Sequence, residues 1–454
     1  MGRKILFIIP PFREGYSQTP IQAGVPSPPP LWPAALAPAL LSAGHEVKVF
    51  DYSISRHPGK ELAGVLRFFL PEVIGIGFLT PQAEFVKKLV SDLRRLCPDS
   101  FVIGGGAHSS ALPRETLEEI PFDAVVVGEG DFALAGLLAS DSDPLDQKIL
   151  IGKSLQNLDE LPLPAWEIFD ISRYRNTHML TRKNPVGWIE TSRGCPHECP
   201  YCTKAVFGRG FRPKSPPRVI REIRRMLELG FQEIHLVDDN FVTDRGRALE
   251  ICEQIIRNRL EFPWAPVIGV RVDGLDHELL SRMQRAGCYR ICLGIESGSQ
   301  RILDRIGKKI TLEQVEEVVD NCRQLGLETF GYFMIGLPGE DEESMLATIR
   351  FARRLNLDLA KISYTIPLPA TPLYSELKER GLLRDKNWTA YNLYHPPRDL
   401  YSHPNLDWNV VEKYFKKFYR VFYLNPGYFW KRFRFALKNK TLMSDFLGFL
   451  RTPW

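Results

Sequence analysis

Twice along this chain, short apolar runs alternate with stretches of helical periodicity, and that rhythm limits the fold more than any other feature. Before residue 130 the apolar runs fall at 4–9, 46–50, 73–78, 101–104 and 124–127, with helical stretches at 34–44, 60–69, 82–97 and 113–120 between them. Phe85, Leu89 and Leu93 mark one face of the third stretch. A helical crossover returns the chain to the end where the previous strand began, so the strands run parallel. The rhythm predicts an α/β fold that begins with a doubly wound, Rossmann-like sheet. In such sheets a ligand binds beyond the carboxyl ends of the strands. Here those ends carry Pro10-Pro11, Thr80-Pro81, the run Gly104-Gly105-Gly106-Ala107-His108 and Gly128-Glu129-Gly130. Glycine there lets a large ligand approach the backbone.

The alternation resumes at residue 187. Strands are expected at 187–191, 233–237, 267–272, 290–295, 329–335 and 360–366, and helices at 217–229, 245–259, 277–286, 312–325 and 343–355. Six βα units predict a partial (βα)6 barrel, with chemistry at the carboxyl ends of its strands. Residues 141–185, with Leu-Pro pairs near their middle, read as a linker, and beyond 375 the βα pattern stops. The expected division is therefore 1–140, 141–185, 186–375 and a helical extension over 376–454.

Three cysteines, Cys195, Cys199 and Cys202, lie in the run Arg193-Gly-Cys-Pro-His-Glu-Cys-Pro-Tyr-Cys-Thr203. A structural zinc site takes four protein ligands, and an ordinary cubane iron–sulfur cluster takes four cysteines. A cluster held by three keeps one iron open. The competing reading is a zinc knuckle completed by His197 or a distant side chain. The other five cysteines, Cys97, Cys252, Cys288, Cys292 and Cys322, fall at apolar positions and read as small core residues. Hydrophobic content of 44% and charged content of 25% are those of a globular protein. With no expected signal segment and no apolar run long enough to span a bilayer, the thiols belong to a reducing compartment, the cytoplasm.

The C-x3-C-x2-C spacing, with Tyr201 before the last cysteine, resembles the signature of the radical S-adenosylmethionine (SAM) enzymes. Downstream, Asp238-Asp239-Asn240, Arg271-Val-Asp273, Gly294-Ile-Glu296-Ser-Gly298, Gly336-Leu-Pro-Gly339 and Pro367-Leu-Pro-Ala-Thr-Pro-Leu-Tyr374 are similar to that family's strand-end segments. The resemblance implies a 4Fe-4S cluster on Cys195, Cys199 and Cys202. It also implies SAM contacts from Asp238, Asp239, Arg271, Glu296 and Lys308, with Tyr201 near the adenine. Ala370 stands where glycine is more usual.

The N-terminal run Pro10-Pro11, Gly44-His-Glu-Val with Asp51, Gly105-Gly-Ala-His108 and Asp123-Ala-Val-Val-Val-Gly-Glu-Gly130 resembles a cobalamin-binding domain. That implies cobalamin contacts from Thr80, Gly104, Gly105, His108, Gly128, Glu129 and Gly130. The D-x-H-x-x-G motif is missing, so no histidine from it is expected below the metal; His108 reads as a packing or hydrogen-bonding residue near the corrin. Together the two halves resemble the cobalamin-dependent radical SAM enzymes, in the group with anaerobic cyclase-like and hopanoid methylase-like proteins. The resemblance implies reductive cleavage of SAM and methylation of an unactivated carbon (or phosphorus) in a small-molecule or lipid-like substrate. An external one-electron reductant of the flavodoxin or ferredoxin type would supply the electron. Tyr332, Tyr364 and Tyr374 are candidates to line the substrate pocket. Radical cyclisation or oxidation without methyl transfer is the alternative within this chemistry, and a zinc-stabilised scaffold the alternative outside it.

From residue 410 to the end there are ten Lys/Arg and two Asp/Glu, a balance of +8 in a chain of net +5. The basicity is therefore local, which argues against a nucleic-acid binder. Residues 414–423 and 428–437 set aromatics on one helical face and Lys/Arg on the other. A cap packed over the barrel mouth is the first reading. A helix resting on anionic lipid, which would add peripheral membrane association, is the second.

Overall fold

Ile5, Leu6, Phe7 and Ile8 are all fully buried, as a strand needs to be when helices cover both faces of its sheet. They form the middle of β1 (Lys4–Ile9) in the computed structural model, which describes residues 2–12, 28–139, 148–384 and 387–439. With it run β2 (Glu46–Asp51), β3 (Val73–Gly77), β4 (Phe101–Gly105), β5 (Ala124–Val127) and β6 (Ile149–Ile151). The six are parallel, in the order β2-β1-β3-β4-β5-β6. Strand order reverses between β1 and β3, which places the switch point beside the glycine-rich strand ends. β6 lies outside the sequence-derived boundary at 140, so the first sheet runs further than expected. It is three residues long and half-exposed, too short for an apolar pattern to mark it. The opening of the expected linker, 140–147, lies outside the described residues.

The second layer starts with β7 (Val186–Ile189), followed by a small antiparallel ribbon of β8 (Ser192–Arg193) and β9 (Arg212–Pro213). Then come β10 (Glu233–Leu236), β11 (Trp264–Pro266), β12 (Arg290–Glu296), β13 (Glu328–Ile335) and β14 (Leu359–Tyr364). β7-β10-β11 and β12-β13-β14 are each parallel. Single bridges from Trp264 to Cys288 and from Val270 to Leu293 join them into one open barrel. The third strand is a correction to the expected 267–272. It lies earlier, because Gly269 turns the chain with φ of +108° and Val272–Gly274 coils into a 3-10 turn.

An open barrel exposes a strand edge, whose unpaired N–H and C=O groups need partners. β14 finds them in tyrosine hydroxyls. The helix Trp408–Tyr423 lies along it, burying Val411, Phe415, Phe418 and Phe422. Tyr419 Oη accepts from Ile362 N (3.3 Å) and donates to Ile362 O (3.0 Å). One turn on, Tyr423 Oη does the same at Ala360 N (3.1 Å) and Ala360 O (2.6 Å). The first basic aromatic stretch therefore caps the barrel's flank rather than its mouth. The following helix, Pro426–Asn439, leaves Phe429, Trp430, Phe433 and Leu437 exposed, Trp430 at 63%. The rest of the basic tail, 440–454, lies outside the described residues. Among those described, no helix is long and apolar enough to cross a membrane.

Candidate active site

Everything at the first barrel strand's end hangs from the β8/β9 ribbon, whose register pairs Ser192 with Pro213 and Arg193 with Arg212. Between its arms the chain loops out and carries all three cysteines. Gly194 makes the turn possible: its φ is +79°, and a Cβ there would stand 2.2 Å from Gly210 O. Asp238, at the end of β10, accepts from Thr191 N (2.6 Å), from the Thr191 hydroxyl and from Ser192 Oγ (2.8 Å). Its oxygens are thus committed to the ribbon, and the expected SAM contact from Asp238 is replaced by a structural one. Asp239 points the other way, accepting from Gly194 N (3.1 Å) and facing Lys204 and Cys202. Burial pushes the Asp239 carboxyl up, and Lys204 pulls it back.

Cys195 is buried, while Cys199 and Cys202 are partly exposed. Burial pushes the Cys202 thiol up, with Lys204 opposing. Leu373 N donates to Pro200 O (3.0 Å), which ties the loop to the helix Pro372–Glu379. Between loop and helix lies a cavity of about 220 Å³, lined by His197, Cys199, Cys202, Lys204 and Ala370 among others. Among the described residues no group of three or more His, Cys, Asp or Glu is arranged to hold a single metal ion.

Three further strand ends bring donors and acceptors to the loop. Arg271 is pinned by Asp273 (2.7 Å) and by Lys308 O (2.5 Å), yet its Nη1 is buried without a partner. Lys308 Nζ lies 2.8 Å from Glu296 Oε1. Glu296 follows an irregularity in the β12–β13 register and has φ of +68°, a conformation that only a well-determined surround sustains in a residue with a side chain. Tyr201 Oη is buried near Cys199 and Glu296 without a partner of good hydrogen-bond geometry. Burial and the nearby Arg271 hold the His197 imidazole below its usual range, in the neutral form. Three thiols with an orphaned guanidinium N–H beside them fit a three-cysteine cluster and a SAM carboxylate.

A second cavity, of about 610 Å³, lies between the two sheets. Gly104, Gly105, Gly128, Glu129 and Gly130 line it from the first, and Trp188, Arg193, Val237 and Ile268 from the second. A Cβ on Gly105 would have no heavy atom nearer than 4.0 Å. Leu79 and Ile268, the latter 54% exposed, present apolar side chains at its edge. A broad, apolar-faced ligand resting on bare backbone fits these walls, as cobalamin requires. No histidine lines the cavity among the described residues. Thr80 and His108 do not reach it. The helix Ala107–Ala111 turns His108 beneath the floor, where Nδ1 lies 3.3 Å from Thr80 Oγ1 and the ring meets Trp388 edge-on at 4.9 Å. Their expected cobalamin contact is corrected to packing. Gln82 and Trp188, which no motif marked, line the cavity instead, and Trp188 Nε1 is buried without a partner.

Glu129 has a further task. Its oxygens meet Arg193 Nη1 (2.6 Å) and Arg212 Nη2 (2.5 Å), one on each arm of the ribbon. Arg193 is also paired with Asp131 and Glu190, both at 2.6 Å. The cavity floor and the cysteine loop are thus fastened by one buried ionic network.

Residues 189–352 match the model of the Radical SAM superfamily, and residues 26–138 match that of the B12 binding domain. The chain is 31% identical over 441 residues to an uncharacterized methyltransferase of Pyrococcus horikoshii, covering 93% of each protein. This chain is a cobalamin-binding radical SAM enzyme. Its cofactors are a 4Fe-4S cluster, SAM and cobalamin, and the zinc scaffold reading falls with that assignment. The anaerobic magnesium-protoporphyrin IX monomethyl ester cyclase of Cereibacter sphaeroides is 28% identical, over 99% of this chain and 75% of that protein. In fold it matches the radical SAM methyltransferase TsrM from Kitasatospora setae, with a TM-score of 0.66 at 20% identity, over 85% of this chain and 80% of that one.

Proposed function

We propose that this enzyme transfers a methyl group from SAM, by way of cobalamin, to an unactivated carbon of a small, largely apolar substrate. One observation carries the reading: the cavity floored by the glycine-rich strand ends is walled by Trp188, Val237 and Ile268 of the barrel. A group bound there faces the barrel mouth directly. When bound, the cluster with SAM supplies a carbon radical that removes a hydrogen atom, and cobalamin supplies the methyl group.

The chain's own residues bind and orient. Cys195, Cys199 and Cys202 hold the cluster. Arg271 Nη1 takes the SAM carboxylate, Asp239 its ammonium, and Tyr201 the adenine side. The Glu296–Lys308 pair fixes the wall opposite. Buried aromatic and aliphatic walls exclude water, which a radical route needs more than it needs an acid or base. A flavodoxin- or ferredoxin-type donor delivers the electron. The exposed aromatics and Lys/Arg of Pro426–Asn439 favour peripheral contact with anionic lipid, and with it a lipid-like substrate.

The test is anaerobic reconstitution with iron, sulfide and cobalamin, then turnover with methyl-labelled SAM and a reductant. Methyl transfer yields S-adenosylhomocysteine and 5′-deoxyadenosine together. Cyclisation yields 5′-deoxyadenosine alone, and that outcome would replace the methylation reading. Cys202→Ala should lose cluster iron and both products.

A further inference from the structure

Along β14 the side chains alternate. Ile362 and Tyr364 turn outward, Tyr364 stacking on Phe415 of the flanking helix at 4.3 Å. Lys361 turns inward, in register with Tyr332 of β13, which is in register with Gly294 of β12. A cation therefore sits inside the barrel, in the layer just below Glu296. Its Nζ lies over the ring of Tyr394 at 4.9 Å and over that of Tyr332 at 5.6 Å. Tyr394 arrives from the segment that runs along β14, where Tyr364 N donates to Leu393 O (2.8 Å).

The neighbouring cations are matched. Lys308 has Glu296, Arg271 has Asp273, and Arg290 has Glu328. Lys361 alone among these four has no carboxylate in ion-pair range among the described residues. Aromatic faces recover only part of the free energy of desolvating an ammonium, and they leave its charge uncompensated. Lys361, Tyr332, Phe330 and Met334 all keep partial exposure, so this face of the barrel interior is open rather than packed solid. An inward, half-exposed cation framed by aromatic rings and lacking a counter-ion is a receptor for an anion on an apolar body.

We propose that Lys361, framed by Tyr332 and Tyr394, anchors an anionic oxygen group, carboxylate or phosphate, carried by the substrate. The proposal rests on the reading of the barrel interior as the substrate pocket. It narrows the substrate to an apolar or aromatic body with an acidic head, and it makes Lys361 a specificity residue. Lys361 touches neither the cysteine loop nor the orphaned Arg271 N–H, so cluster assembly and SAM cleavage do not depend on it.

Anion binding is measured by calorimetric titration of the anaerobically reconstituted full-length holoenzyme with two probes, inorganic phosphate and benzoate. Wild type is compared with Lys361→Gln and Lys361→Arg. At least tenfold weaker binding in K361Q, with K361R within about threefold of wild type, is the expected result, and whichever probe binds tighter identifies the head group. Equal titrations of wild type and K361Q, or no titration in either, would overturn the proposal. Iron content and substrate-free formation of 5′-deoxyadenosine in K361Q should equal wild type, and show that the variant is folded. The titration involves no turnover, so failure of the methyl-transfer reading and failure of this one are read from different experiments.

Discussion

Ala370 holds φ of +60°, in the left-handed region where a Cβ meets the following carbonyl oxygen. It borders the cavity at the cysteine loop and directly precedes Thr371, whose hydroxyl caps the helix Pro372–Glu379 by accepting from Tyr374 N at 3.1 Å. The sequence motif calls for glycine here, and the backbone supplies the reason. The left-handed penalty for Ala is about 1–2 kcal/mol, and glycine's extra freedom in the unfolded chain offsets roughly half of it. Ala370→Gly should therefore raise stability by about 0.5–1 kcal/mol in denaturant unfolding, leaving cluster iron unchanged. At this scale the sequence was readable where a motif fixes spacing and unreadable where direction decides. Asp238 and Asp239 are neighbours at one strand end, so no pattern separates the one that braces Thr191 from the one that faces Lys204. Thr80 and His108 occupy the right loops and point beneath the floor.

Periodicity was the stronger guide for elements, since ten of the fourteen strands among the described residues fall within the expected apolar runs or within one residue of them. It failed at the third barrel strand, where the run Val267-Ile268-Gly269-Val270 looks extended but Gly269 takes positive φ. β8 and β9, two residues each, have no periodicity to read. The amphipathic pattern over 414–423 announced a packed helix without saying on what it packs. The answer lies in hydroxyls four residues apart, which match alternate residues of an extended edge: Tyr419 serves Ile362 and Tyr423 serves Ala360. Tyr423→Phe keeps the ring and strips two backbone groups of their partner. A loss of about 1–3 kcal/mol is expected, together with faster hydrogen exchange at the Ala360 amide. Unchanged exchange there would mean that water replaces the hydroxyl without penalty.

Across the whole molecule, Glu129 shows how a residue can be located correctly and its task missed. The motif placed it at the end of β5, beside the expected ligand, and it does line that cavity. No local pattern could announce that its carboxylate is shared between Arg193 and Arg212, 64 and 83 residues away. Those two arginines are the arms that carry the cysteine loop. Both ion pairs are buried, so removing the shared charge leaves two guanidinium groups short of compensation; breaking such a pair costs about 3–5 kcal/mol. Asp131 and Glu190 still hold Arg193, which places the loss near the lower bound. Glu129→Gln keeps the shape and removes the charge. By scanning calorimetry it should split one cooperative unfolding transition into two, the glycine-floored domain melting ahead of the barrel. A thermogram that overlays wild type would move the coupling to another contact between the halves, such as Trp388, which packs on His108 and donates to Glu119 at 2.7 Å.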